Sequence, residues 1–185
     1  MARTESTMLE LGTLAPKFAL TDVVGGTMVR RNDFTGKQGL LVMFLCPHCP
    51  YVKHIERALG VLSADYADKP VDIVAISSND AVAYPEDGPA GMKQQAETMG
   101  FRFPYLFDET QEVARAYQAA CTPDFFLFAA DFKLVYRGQF DDSRPNSGVP
   151  VTGRDLRAAM DAVLADEPVS TDQRASIGCN IKWKA

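Results

Sequence analysis

The apolar positions of this chain fall into runs and repeats that predict its elements in order. Phe18 and Leu20, then Val23 and Val24 before Gly25-Gly26, then Thr27 to Val29, predict a β-hairpin whose glycine pair suits a turn at positive φ. Leu40 to Leu45 is apolar at every position, as a central strand covered on both faces must be, and it runs straight into Cys46. From Pro50 onward Tyr51, Ile55, Leu59, Leu62 and Tyr66 recur at steps of four, four, three and four, one face of a helix that should end near Lys69-Pro70. Val71 to Ser77 is a second β-branched run. Residues 40–77 therefore predict a β-α-β unit with parallel strands and a right-handed crossover.

Met92, Ala96 and Met99 mark a short helix closed by Gly100, Pro104 to Phe107 a brief strand, and Thr110 to Tyr117 another helix. Thr122 to Ala129 and Lys133 to Phe140 predict an antiparallel pair turning at Ala130-Asp131. After a polar loop, Leu156, Met160, Val163 and Leu164 share the face of a last helix, and the residues from Asp166 have no period. The expectation is an α/β fold: one domain over residues 14–165, preceded by a segment 1–13 and followed by a tail 166–185.

Composition narrows the function classes. Hydrophobic residues at 46% and charged residues at 23% are a globular balance, which excludes disorder and fibres. Nineteen basic against 24 acidic residues leave a net charge of −5, so no positive field gathers phosphates and nucleic acid is not an expected partner. No apolar stretch approaches the ~18 residues of a membrane helix, so no membrane span is expected. The first residues alternate acids, threonines and small side chains where a secretory signal carries an apolar segment, and the expected compartment is the cytoplasm. Four unevenly spaced cysteines do not make a disulfide framework in a reducing compartment, which points to chemistry instead.

Cys46-Pro47-His48-Cys49 is a C-x-x-C at a strand-to-helix junction. A thiol at a helix N-terminus faces unpaired N–H groups and the positive end of the dipole, which favour the thiolate; this makes Cys46 the expected nucleophile. Cys49, one turn on, is placed to attack a mixed disulfide on Cys46 and resolve it. Pro47 stiffens the turn, and His48 is expected to offer a hydrogen bond or charge to Cys46. Two structural thiols or half a zinc site are the alternatives, but Cys121, Cys179 and His54 supply no second close ligand pair. A reading of a different class is a copper or zinc carrier using Cys46, Cys49 and a histidine.

With these residues the sequence resembles the thioredoxin superfamily. The hairpin, the strand ending in CPHC, the crossover and Thr122-Pro123 opening a β-β-α ending match that layout over about residues 14–165. Within it, CPHCPYVKHI, SSNDAVAYPEDGP, CTPDFFLF, GQFDDSRP and SIGCNIKWK are similar to the cytosolic redoxin group near the alkyl hydroperoxide reductase and thiol-specific antioxidant proteins. The resemblance implies a three-layer fold with a central mixed sheet, a redox pair at Cys46 and Cys49, and a cis-proline at Pro123. It also implies that the Thr122 backbone pairs with a substrate chain.

Two departures qualify it. Thioredoxins carry a buried acid six residues before the first cysteine, where this chain has Leu40, so His48 or Glu56 is the candidate to handle the proton of the resolving thiol. Peroxiredoxins have a hydroxyl residue three before the reactive cysteine and a proline further back, where this chain has Met43 and Gly39. Cys121, two before Pro123, is either a third thiol near the pair or a small buried residue. Cys179 lies in a tail that Ile181 and Trp183 give something to bury, and is either auxiliary or part of a frayed end. His54 and Lys53 are expected as solvated helix residues, and Asp141, Asp142 and Arg144 as a polar turn.

The expected function is thiol-disulfide exchange on a disulfide-bearing protein or small disulfide, with a cellular thiol reductant as the second partner. No organic cofactor and no metal are required. The alternative enzyme is an atypical thiol peroxidase.

Overall fold

A computed structural model describes residues 3–185. In chain order the strands and helices are β1 (Arg3–Glu5), β2 (Ala19–Asp22), β3 (Met28–Arg30), β4 (Gly39–Phe44), α1 (Pro50–Asp65), β5 (Val71–Ser77), α2 (Pro89–Met99) and β6 (Tyr105–Phe107). They continue with α3 (Glu112–Ala116), β7 (Cys121–Thr122), β8 (Asp124–Ala129), β9 (Leu134–Tyr136), α4 (Arg154–Leu164) and β10 (Ile177–Asn180).

Seven strands form the main sheet in the order β3-β2-β6-β5-β4-β8-β9. The β-α-β unit is parallel as predicted, from Gly39 opposite Val71 to Phe44 opposite Ile76, and β4 pairs antiparallel with β8 on its other side. The sheet is therefore mixed. Along β4 the side chains alternate between two cores. Leu41, Met43 and Leu45 pack with Val52, Ile55 and Leu59 of α1 and Leu156 and Met160 of α4. Leu40, Val42 and Phe44 pack with Val113 and Tyr117 at α3 and with Phe126 and Phe128. A strand with period two buries both sets only between helices on each face, which is why this segment has no polar position. Gly39 is set by packing: a Cβ there would lie 2.9 Å from Val163 Cγ1 and 3.2 Å from the Phe128 carbonyl oxygen.

Several expectations are corrected. Helix α1 stops at Asp65, short of Lys69-Pro70, because Tyr66 continues the apolar period from the capping turn, where its hydroxyl donates to Asp161 at 2.7 Å. The run expected as one strand from Thr122 breaks at Pro123, which has no N–H for a ladder; β7 and β8 belong to different sheets. Strand β9 ends at Tyr136 rather than Phe140. The Arg137 and Gln139 N–H groups donate to the Gln173 side chain and the Arg174 carbonyl of the tail instead of to β8.

The aperiodic tail is not frayed. Its strand β10 lies between β1 and β7 in a second, three-stranded antiparallel sheet, with Cys179 opposite both Arg3 and Thr122. Gly178 permits this, since a Cβ there would sit 2.0 Å from the Thr122 carbonyl oxygen. Among the described residues no helix is long and apolar enough to cross a membrane.

Candidate active site

The two thiols of the C-x-x-C lie where β4 hands over to α1. Cys46 follows the strand by two residues, and Cys49 is the N-cap residue of α1 with Pro50 as its first helical position. This reverses the expected placement: Cys49, not Cys46, meets the helix N-terminus, because Pro50 is suited to the first turn and Pro47-His48 form a bend before it.

All four cysteines are free and buried. Cys46 Sγ lies 3.2 Å from Thr122 Oγ1. Cys49 Sγ lies 3.1 Å from the Thr122 carbonyl oxygen and 2.9 Å from Cys179 Sγ. The Thr122-Pro123 bond is cis. Thr122 thus touches both thiols of the pair, one through its side chain and one through its backbone.

The environment separates the acidities of the pair. Hydrogen bonding from Cys46 draws the Cys49 thiol down to about 5, against the cost of burial, and the Cys179 thiol and the Val52 and Cys179 N–H groups pull the same way. Cys46 is pushed well above an ordinary thiol by its hydrogen bond to Cys49, by burial and by the charge of Asp87. The surroundings therefore favour the thiolate on Cys49 over Cys46. The expectation that Cys46 is the most acidic thiol is corrected, for the reason of placement just given.

His48 lies beside Cys46 as expected, at the long limit of a hydrogen bond to sulfur, and is shared with a second partner. Its Nδ1 donates to the Asp87 carboxylate in a very short hydrogen bond, and Cys46 Sγ lies 4.0 Å from the same nitrogen. Asp87 is fully buried; its Oδ1 accepts the His48 backbone N–H at 3.0 Å, and its Oδ2 also accepts Asn79 Nδ2 at 2.8 Å. Tyr84 stacks on the imidazole, with ring centroids 5.2 Å apart. His48 Nε2 is buried with no partner among the described residues. Asp87 is the residue that sequence reasoning missed. It stands inside the YPEDGP string, where an acid in a polar loop shows no pattern to distinguish it.

Asn79 joins this group to the tail, since its Oδ1 accepts the Lys182 N–H at 2.8 Å. Asp80 N–H donates to the Lys182 carbonyl at 2.9 Å, Gln111 Nε2 donates to the same oxygen at 2.8 Å, and Arg115 lies 4.4 Å over the Trp183 ring. The β7 edge at Cys121 and Thr122, expected to pair with a substrate chain, is occupied by the chain's own β10.

The other candidates are dispersed. Glu56 is half-buried and accepts a hydrogen bond from Gln95 at 2.9 Å. Cys121 Sγ faces the carbonyl oxygens of Pro123 at 3.5 Å and Ser176 at 4.0 Å, and burial pushes its thiol far up. It is the small buried residue of the two readings offered. His54 bonds Ser143 at 3.1 Å, and Asp141 is a structural cap whose carboxylate accepts the N–H groups of Ser143, Thr152 and Gly153. The donor atoms of Cys46, His48 and Asp87 lie within 4.8 Å of one another, the one such trio among the described residues. It includes Asp87 where the carrier reading had Cys49.

Comparison with known proteins places this geometry in a family. The AhpC/TSA family model matches residues 11–137. A thiol-disulfide oxidoreductase ResA from Bacillus thuringiensis is 25% identical over 132 residues, 71% of each chain. Among solved structures, an uncharacterized conserved protein from Geobacillus kaustophilus is 57% identical with a TM-score of 0.97, covering 100% of this chain and 97% of that one. The thioredoxin domain of a Bacteroides vulgatus thiol-disulfide oxidoreductase is 22% identical with a TM-score of 0.60, covering 74% of this chain and 91% of that one, and shares the fold.

Proposed function

We propose, for a chain that belongs to the AhpC/TSA family of thioredoxin-like proteins, that the redox work of this oxidoreductase is thiol-disulfide exchange through Cys46 and Cys49. The observation that carries it is a pair of free thiols at a strand-to-helix junction, both in contact with Thr122 of a cis Thr122-Pro123 bond, with Cys49 drawn toward the thiolate. A dithiol with one thiolate at neutral pH is poised to form a disulfide, since the thiolate is the attacking species.

Cys46 exchanges with the outside disulfide and Cys49 resolves. Pro47 and His48, beside Cys46, form one wall of a groove with Lys53, Glu56, Gln94 and Gln95, which is the approach available to a substrate. For Cys46 to attack, its proton passes to Cys49, the thiolate of the pair. The Cys46 sulfur then bonds one substrate sulfur and releases the other as thiolate. Cys49 next gives up that proton and attacks Cys46 as thiolate; the Cys46–substrate bond breaks, the departing substrate sulfur takes the proton and leaves as a thiol, and the Cys46–Cys49 disulfide closes. Asp87 holds His48 in position beside this exchange, and a thiol reductant restores the pair.

The peroxidase alternative has one observation in its favour, the Thr122 hydroxyl 3.2 Å from Cys46. Met43, however, is buried in the core and Gly39 is filled by packing, so β4 contributes no group that polarises a peroxide. The metal-carrier alternative has the Cys46, His48 and Asp87 trio, but both Asp87 oxygens are engaged by His48, and Oδ2 by Asn79 as well. The deciding experiment compares reduced protein against a small protein disulfide and against hydrogen peroxide by stopped flow, with metal analysis of the purified protein. Faster disulfide than peroxide reduction, lost in Cys46→Ser and Cys49→Ser, is the expected result. Peroxide oxidation orders of magnitude above that of a free thiol, or stoichiometric copper or zinc, rejects it.

A further inference from the structure

Two features meet at Cys49. It is the second thiol of the C-x-x-C pair, and its sulfur lies 2.9 Å from Cys179 Sγ. Cys179 reaches that point through a strand, not a loop: β10 pairs along β7 with Cys179 opposite Thr122, the residue whose carbonyl and hydroxyl also face the pair. Gly178 allows the approach, and Asn79, Asp80 and Gln111 hold Lys182, three residues after Cys179, by three hydrogen bonds. The tail thus occupies the edge of β7 as a partner strand would, and it presents a thiol at the register where the pair is reached.

We propose that Cys179 is a third redox thiol of this site, exchanging with the Cys46–Cys49 disulfide to form a Cys49–Cys179 disulfide. The proposal rests on the dithiol reading above, from which the first disulfide comes. The Cys179 sulfur, as thiolate, bonds Cys49 Sγ; the Cys46–Cys49 bond breaks, and Cys46 leaves with the electron pair and takes up the proton that Cys179 gave. No electrons enter or leave, because the oxidation passed on by the substrate disulfide moves from one pair to the other. Cys46 is returned as a thiol beside the groove while the disulfide is held inside, against β7.

The acidity of Cys179 is consistent with this order of events. In the reduced site burial pushes it up to about 12, together with its hydrogen bond to Cys49 and the negative charge there. The last two causes vanish once Cys49 is in a disulfide, and Lys182, which pulls the other way, remains. Cys179 is thus quiet while the pair is reduced and becomes a better nucleophile when the pair is oxidised. Cys121 has no such contact: its sulfur faces backbone carbonyls of Pro123 and Ser176.

The test is disulfide mapping. Reduced Cys46→Ser protein is oxidised with glutathione disulfide, its remaining thiols are alkylated, and it is digested without reductant for mass spectrometry. The expected product is a Cys49–Cys179 peptide with Cys121 alkylated. Cys49 recovered as a mixed disulfide with glutathione, with Cys179 alkylated, overturns the proposal. Wild-type protein given one equivalent of the same oxidant and quenched in acid guards against misfolding of the variant. It should yield both Cys46–Cys49 and Cys49–Cys179 peptides, and the first alone counts against the proposal. Cys179→Ser should retain the Cys46–Cys49 disulfide. Its loss there overturns the dithiol reading and this proposal with it, so the two failures are told apart.

Discussion

Removing the Cys49 thiol should abolish a titration that sits far below the range of ordinary cysteines. At pH 7 a thiol with a pKa of about 5 is about 99% ionised, whereas an unperturbed one is ionised to only a few per cent. Reduced wild-type protein should therefore show one thiolate by absorbance near 240 nm, disappearing as the pH falls through about 5. The same shift sets a stability. An acid whose pKa is lowered on folding adds stability that is complete above its unfolded value, about 8.5 for a thiol, and lost as the pH falls through the folded value. Between pH 5 and 7, at about 1.4 kcal/mol per unit, this amounts to about 3 kcal/mol. The raised Cys46 does not cancel it, since a raised acid costs stability only above its unfolded value. Urea unfolding of reduced wild-type and Cys49→Ser proteins from pH 4 to 8 measures the difference, because carboxylates and histidines common to both drop out. The wild-type advantage should grow with pH through this window. Cys46→Ala should raise the Cys49 pKa, since the Cys46 hydrogen bond is the largest cause of its depression. Parallel stability profiles, or a low-pH thiolate that survives in Cys49→Ser and vanishes in Cys46→Ala, would refute the reasoning.

Other predictions test the surroundings of the pair. Asp87→Asn should lower the Cys46 pKa by removing a nearby negative charge, measured by alkylation rate against pH in a Cys49→Ser background; an unchanged profile contradicts the role given to Asp87. Gly178→Val should detach the tail, because its Cβ would lie 2.0 Å from the Thr122 carbonyl oxygen, and Trp183, the only tryptophan, should report this as a red-shifted fluorescence maximum. An unmoved spectrum would mean that β10 tolerates the side chain. Asp124→Ala should cost about 3–5 kcal/mol in urea denaturation, because it leaves fully buried Arg137 without the carboxylate 3.1 Å away. A loss below 1 kcal/mol would show the pair to be dispensable.

The sequence carried those parts of the protein that depend on neighbours in the chain. The all-apolar run at Leu40 to Leu45, the helical spacing after Pro50 and the β-branched run at Val71 predicted the parallel unit, and CPHC at its junction located the pair of thiols proposed to do the chemistry. Each is a local pattern, set by the period of one element and by what covers it. Pro50 was visible too, yet its consequence, a helix that begins after Cys49 rather than at Cys46, needed the backbone. What only the tertiary structure decided lies between elements. Asp87 meets His48 from 39 residues away, and Cys179 meets Cys49 from 130 residues away. The strand that brings Cys179 there has four residues and no alternation, because it is clamped between two strand edges and buries its middle, Gly178 and Cys179. Such a strand is specified by the N–H and carbonyl groups it finds on β1 and β7 and by the absence of a side chain at Gly178. Neither leaves a period in the sequence, so the tail was legible as composition and its place at the active site was not.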